Sequence, residues 1–232
     1  MSASPTTGAT MHIYARLTAG LDALTEWSNT AHHRESLARP GWLAIRRFAA
    51  VDVDGCEPHD GFDLLTVIEL ETSDAAALIA DHSYTPTPMP TAIVGLKAAR
   101  AVYETLADDV PARDSTASGA AMLYVTIDLA PSDDTAFDVW RARDPLTPAL
   151  RDAGCVGVAR SQWITTSATT LARTTLGPRV LEQYEIADVA TLDRVAQLVP
   201  GADATGTTRS AYRQVFPASG AYSVASNSNA AT

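Results

Sequence analysis

The chain has 232 residues, a formal net charge of −10 and 46% hydrophobic residues, enough apolar material for one large domain or two small ones. No apolar run reaches the roughly 18 residues of a membrane span, and an acidic chain without a basic stripe argues against a nucleic-acid partner. Cys56 and Cys155 are too few for a disulfide framework or a cysteine metal site, and the small, polar N-terminus lacks the features of a secretory signal; a reduced, cytoplasmic setting is expected.

Residues 1–10 read as a disordered lead. Met11–Leu17 alternates, with Ile13, Ala15 and Leu17 on one face and His12, Tyr14 and Arg16 on the other, which predicts a strand. Leu21, Leu24, Trp27 and Ala31 recur at helical spacing, predicting a helix over 21–38 that Pro40-Gly41 stops. Strands are expected over Trp42–Val51, Phe62–Leu70 and 98–105, with a short helix over Ser73–Asp81 and a Pro-rich loop over Tyr84–Pro90 between the last two. Residues 107–120 read as a linker. The same order then repeats: strand Met122–Leu129, helix Thr135–Asp152, strands Cys155–Trp163 and Arg179–Ile186, helix Val189–Leu198 and strand Ser210–Phe216. Residues 218–232 read as a disordered tail.

Two internal copies of β-α-β-β-α-β, over 11–106 and 121–217, define an α+β fold of two tandem ferredoxin-like units. Such a unit covers only one sheet face with helices, so the two copies are expected to pack sheet to sheet as a pseudo-twofold α+β barrel. The lumen between the sheets is the place that this reading gives to a small ligand. The chain is then a monomer as a pseudo-dimer, or a homodimer.

The run Trp27-x-Asn29-Thr30-x-His32-x-x-Glu35-x-Leu37-x-x-Pro40-Gly41-Trp42-x-x-x-Arg46-Arg47-Phe48 resembles the helix-to-strand signature of EthD-like proteins in the dimeric α+β barrel superfamily. Ser83-Tyr84-Thr85-Pro86 and Ala101-Val102-Tyr103-Glu104 also fit that pattern. Ser28 and Ala31 depart from it, standing where the family often carries an aromatic residue and an acid. The resemblance implies the barrel fold and a broad range of chemistry: cofactor-free monooxygenation, polyketide cyclisation, isomerisation, dehydration, lyase activity and haem handling. It also places a family histidine at His32.

His32 is the leading acid/base candidate, since an imidazole titrates near neutrality. Asn29 lies one helical turn before it and is a candidate to orient the ring or bind a substrate carbonyl. His33 reads as a solvated neighbour. Trp27 and Trp42 are candidate pocket walls, and Trp27 recurs as Trp140 in the second copy, whereas Asn29 and His32 are replaced there by Ala142 and Pro145. His12 and Tyr14, with Tyr124 and Asp128 from the second copy, face the expected lumen; His12 is the second acid/base candidate. Arg46 and Arg47 point to opposite sheet faces, so at most one enters the lumen to hold an enolate or carboxylate. Because Arg160 repeats Arg47, Arg46 is the functional candidate and Arg47 an expected surface ion pair. Glu69 and Glu185 read as matched scaffold carboxylates, Cys155 as a small core residue, and His82 and Tyr84 as groups completing the pocket from a loop. There is no phosphate loop, nucleophile elbow or His-x-x-x-His pair, so no cofactor is expected. These residues point to a cofactor-independent acid/base enzyme (isomerase, cyclase, dehydratase or lyase) acting on a small hydrophobic carbonyl- or phenol-bearing metabolite. The alternatives are a cofactor-free monooxygenase of a phenolic substrate, a haem-handling protein with His32 or His12 axial, and a small-molecule carrier.

Overall fold

The computed structural model describes residues 8–58, 61–71, 87–108, 121–127, 138–140, 142–164, 180–199, 207–216 and 222–223. The first unit supplies β1 (Ala9–Arg16), α1 (Leu21–Trp27), a π-helical turn (Ser28–His32), α2 (His33–Leu37), β2 (Trp42–Ala50), β3 (Leu64–Leu70) and β4 (Lys97–Asp108). The second supplies β5 (Ala121–Ile127), α3 (Pro148–Asp152), β6 (Cys155–Ile164), β7 (Val180–Ile186), a 3-10 turn (Val189–Thr191), α4 (Leu192–Leu198) and β8 (Thr207–Phe216). The expected helix over Ser73–Asp81 lies outside the described residues.

All strand pairs are antiparallel. Around the sheet the order is β3-β1-β4-β6-β7-β5-β8-β2, and β2 returns to β3, so eight strands close into one barrel within a single chain. Each unit contributes the ferredoxin-like order, and the units join at their edges through β4–β6 and β8–β2. The two sheets therefore do more than face each other: hydrogen-bonded closure removes the edges that either alone would expose. Tyr222 and Ser223, within the segment read as a tail, form β9 and pair with Ile45 and Ala44 of β2.

The registers give a residue-by-residue pseudo-twofold. Ala9 lies opposite Leu70 and Glu104, and Ala121 opposite Ile186 and Arg213. His12 thus corresponds to Tyr124, Tyr103 to Tyr212, and Glu69 to Glu185. Gly41 and Gly154 lead into β2 and β6 with φ of 80° and 107°, a backbone region in which a side chain is strained. Both strands then carry a register shift, between Trp42 and Ala44 in one copy and between Cys155 and Gly157 in the other. An extra residue reverses the alternation of faces. Trp42 and Ile45 both pack on the helix side, while Phe48 points into the barrel.

The continuous helix expected over Thr135–Asp152 is broken. Residues 138–140 are helical, 143–147 are not, and α3 restarts at Pro148. Pro145 and Pro148 lack the amide hydrogen that a helix interior needs. Thr147 caps the restart by accepting from the Leu150 amide.

Two layers of core result. On the helix side of the second sheet, Leu123, Val125, Leu150, Val158, Tyr184, Leu192 and Val195 form one cluster, and Cys155 belongs to it. Burial pushes the Cys155 thiol up to about 11, which suits a small core residue. The barrel interior is packed with Tyr14, Phe48, Leu65, Val67, Tyr103, Met122, Tyr124, Leu181 and Tyr212.

Candidate functional site

The structure separates the sequence candidates into two places on opposite faces of the first sheet. Inside the barrel lie His12, Tyr14, Tyr124 and Arg46. His12 is fully buried (0% exposed). Its Nδ1 is 3.3 Å from the Tyr14 hydroxyl and its Nε2 3.3 Å from Thr10 Oγ1. Tyr103 and Tyr124 rings stand 4.7 and 5.4 Å from it, so His12 and its symmetry counterpart meet across the lumen. The Tyr124 hydroxyl donates to Met122 Sδ at 3.1 Å. Burial, then the neighbouring tyrosines, holds the Tyr14 phenol well above its ordinary range, so it stays protonated at any working pH.

Arg46 is the arginine that enters the lumen, at 1% exposure. Its Nη1 donates to Glu185 Oε1 at 2.9 Å and its Nη2 lies 3.6 Å from Glu69 Oε1. The twofold-related glutamates thus flank one guanidinium, joining the two units by charge. Both nitrogens of His12 and Nη1 of Arg46 are hydrogen-bonded in this interior, while Arg46 Nε and Nη2 make no hydrogen bond among the described residues. The lumen that the sequence offered to a ligand is lined by these buried side chains.

The other face is different. His32, Asn29 and Trp27 sit where α1 gives way to the π-helical turn. Thr30 Oγ1 donates to the Glu26 carbonyl at 2.7 Å and Ser36 Oγ to the His32 carbonyl at 2.8 Å, one hydroxyl at each edge of the widened turn. A π turn adds a residue to the helical repeat and is frequent at functional sites. It also rephases the helical residues beyond it. His33, expected as a solvated neighbour, is instead buried at 2% exposure, whereas His32 is half-buried.

Arg47 approaches His33 from the sheet. It is no surface residue: 6% of it is exposed. Its Nη2 donates to His33 Nε2 at 3.1 Å and its Nε to Thr66 Oγ1 at 3.4 Å. A guanidinium has only donors, so His33 must accept through Nε2 and carry its proton on Nδ1. That Nδ1–H has no partner, and neither does Arg47 Nη1. The same lack extends over the turn, to Trp27 Nε1, Ser28 Oγ, Asn29 Oδ1 and His32 Nδ1. Unpartnered buried polar groups are costly; others occur at Trp42 Nε1, Arg46 Nε and Arg143 Nε, but around this turn they are densest.

Burial favours the neutral form of both imidazoles. Burial, then Arg47 and His32, pushes His33 down to about 2. Burial also lowers His32, with Arg47 and Arg100 adding to the effect and Glu35 opposing it. Arg47 itself is pushed down by burial to about 10 and remains a cation at neutrality. Among the described residues no carboxylate pairs with it. The walls are aromatic: Trp27 stacks on His32 at 4.4 Å and 14°, and Phe216 lies 4.8 Å from His33. Glu35 accepts from the amide of Thr87 at 3.0 Å and from its hydroxyl, tying α2 to the loop before β4.

The remaining candidates fall elsewhere. Trp42 belongs to the helix-side core with Ile45 and Leu37, under the Arg39 guanidinium at 4.4 Å. His82, Tyr84 and Asp128 lie outside the described residues. Sequence reasoning does not foresee the buried contact between His33 and Arg47. It sets Arg47 aside because Arg160 repeats it, although the residues opposite the two arginines, Thr66 and Glu182, differ.

The chain has the fold of the dimeric ferredoxin-like α+β barrel superfamily, here closed within one polypeptide. An anthrone oxidase-like protein of known structure superposes with a TM-score of 0.51 at 12% identity, covering 92% of this chain and 94% of that one. A chlorite dismutase variant from Candidatus Nitrospira defluvii gives a TM-score of 0.45 at 11% identity, covering 90% of this chain and 91% of the other. A monooxygenase-like protein from Listeria innocua gives 0.42 at 7% identity, with 90% and 95% covered. No protein-family model and no curated protein matches the sequence. No described helix is long and apolar enough to cross a membrane, and no three His, Cys, Asp or Glu among the described residues gather as a metal-binding group.

Proposed function

We propose that the first unit is an acid/base active site on the helix-facing side of its sheet, working on a small apolar metabolite that carries or develops one anionic oxygen. The observation that carries this reading is the buried Arg47 cation with an open Nη1 and no carboxylate among the described residues, set beside two neutral imidazoles. Arg47 Nη1 and the His33 Nδ1–H would hold the anionic oxygen by preorganised donation in a dry site. His32 is the proton carrier. It is neutral, only half-buried, has an unpartnered Nδ1 and is held flat against Trp27. Proton abstraction beside a carbonyl, with the charge delocalised onto that oxygen, is the common first step of isomerisation, cyclisation, dehydration and C–C cleavage. Relative to the sequence reading, Arg47 takes the role given to Arg46, and the site moves from the lumen to the helix face.

Hydrogen–deuterium exchange into β-diketone and anthrone probes, followed by NMR, tests the reading without knowledge of the natural substrate. His32→Gln and His32→Ala should each slow exchange by roughly 10²–10⁴-fold, the usual share of a general base. Wild-type rates in both variants would end the proposal.

A second reading keeps the same deprotonation and adds molecular oxygen to the resulting phenolate or enolate. The shared fold with an anthrone oxidase-like protein favours it, and the anion site suits it, since the deprotonated substrate is the electron donor. Oxygen uptake on adding anthrone separates it from the first reading.

A further inference from the structure

The two units carry the same arginine at the same ladder position and treat it in opposite ways. Arg160 lies across from Glu182, and Arg47 across from Thr66. Glu182 is fully buried (0% exposed). Its Oε1 accepts from Arg160 Nε at 3.2 Å, both its oxygens accept from Arg143 Nη2 at 2.6 Å, and its Oε2 accepts from the Tyr184 hydroxyl at 2.8 Å. Trp140, the counterpart of Trp27, lies under the Arg160 guanidinium at 5.0 Å. In the first unit each of these acceptor and donor positions has changed: Thr66 for Glu182, Thr30 for Arg143, Ile68 for Tyr184. The guanidinium has stayed, and at the position opposite it a threonine hydroxyl stands in place of the carboxylate.

We propose that Arg47 binds the carboxylate of a small apolar monoacid in the place that Glu182 fills in the second unit, and that the second unit is closed by its own glutamate. This rests on the reading of the helix face as the substrate site, and it names the anionic oxygen as a carboxylate oxygen. A guanidinium fork matches a carboxylate in plane and spacing. A buried cation is stable only when paired, and the shorter Thr66 leaves the carboxylate's position to a ligand. The charge count selects a monoanion. Among the described residues the second unit sets two arginines around one carboxylate, whereas in the first Arg47 meets the neutral His33 and Thr66, and Arg100 and Glu35 act on His32 in opposite directions. The stacked Trp27–His32 pair and the tilted Phe216 ring provide aromatic surface for the rest of the molecule. The chain would then offer one anion site, in keeping with the loss of the histidines from the second unit.

Calorimetric titration with benzoate and hexanoate, with p-cresol and chloride for comparison, tests this on wild type, Thr66→Glu and Thr66→Val. Wild type should bind one benzoate or hexanoate per chain in preference to p-cresol and chloride. Thr66→Glu supplies the missing carboxylate internally, so benzoate should bind roughly a hundredfold more weakly or worse, with an unchanged or higher melting temperature. Thr66→Val removes the acceptor for Arg47 Nε but adds no charge, so it should weaken benzoate binding far less than Thr66→Glu does. Equal benzoate affinity in a folded Thr66→Glu, or saturable p-cresol binding without benzoate or hexanoate binding, would overturn the carboxylate assignment. If benzoate behaves as expected while His32 variants exchange at the wild-type rate, the acid/base reading fails and the carboxylate site stands.

Discussion

Replacing Glu182 by threonine makes the second unit resemble the first at its key position, and the cost can be worked from the structure. Glu182 accepts hydrogen bonds from Arg160, Arg143 and Tyr184, and neither it nor Arg160 is more than marginally exposed. Removing one member of a buried ion cluster leaves charge without this partner, at about 3–5 kcal/mol. The Arg143 side chain is 35% exposed and can turn toward water, so the lower end, about 3 kcal/mol, applies. For a chain of this length that corresponds to a fall of about 6–12 °C in Tm. Urea unfolding followed by tryptophan fluorescence gives the free energy, and differential scanning fluorimetry gives the temperature. Added formate should restore part of the loss in Glu182→Thr and act less on wild type, since the variant adds a vacated place at Arg160 to the one at Arg47. A loss below about 1 kcal/mol, within the range of a surface pair, would refute the claim that Glu182 neutralises a buried cation.

Acid sensitivity should trace to His33. Its folded value near 2 lies below the unfolded 6.5, so the unfolded state takes up the proton first. The stability that a neutral His33 confers is complete above about pH 6.5 and is lost as pH falls below it, at about 1.4 kcal/mol per pH unit for one proton. Denaturant titrations between about pH 6 and 4 should show His33→Leu, the residue of the second unit, with a slope shallower by nearly that proton; an unchanged slope would show that His33 is not held neutral. Glu185→Ala should cost about 3 kcal/mol by removing the closer carboxylate from Arg46, yet leave deuterium exchange and benzoate affinity within about twofold. A larger effect on either would return the lumen to the active site.

Much of the architecture is legible because the strands alternate and their order repeats. The period-two pattern of Met11–Leu17 reveals β1 and its faces, and the recurrence of Trp, Gly and Arg reveals the duplication. Edge-to-edge closure is less direct, because pairing partners far apart in sequence leave no local trace. Site geometry is hidden by two one-residue irregularities. The shift after Trp42 reverses the faces of β2, which is why the sequence leaves open whether Arg46 or Arg47 enters the lumen. The π turn moves His33 from the expected solvent face into contact with Arg47. Neither device has a composition of its own. Pro145 and Pro148, by contrast, do announce the break in the second unit's helix. The functional asymmetry is readable in part: His32 and Asn29 stand out for lacking counterparts, while Thr66 opposite Arg47 needs the register before it means anything.

The most direct test is where a ligand sits. Crystals soaked with 4-bromobenzoate and, separately, 4-bromophenol locate bound bromine by its anomalous signal. The account predicts one site per chain for bromobenzoate, beside Trp27 and His32 with the carboxylate on Arg47, and none at Arg160. Bromine inside the barrel, against His12 and Tyr124, would contradict it.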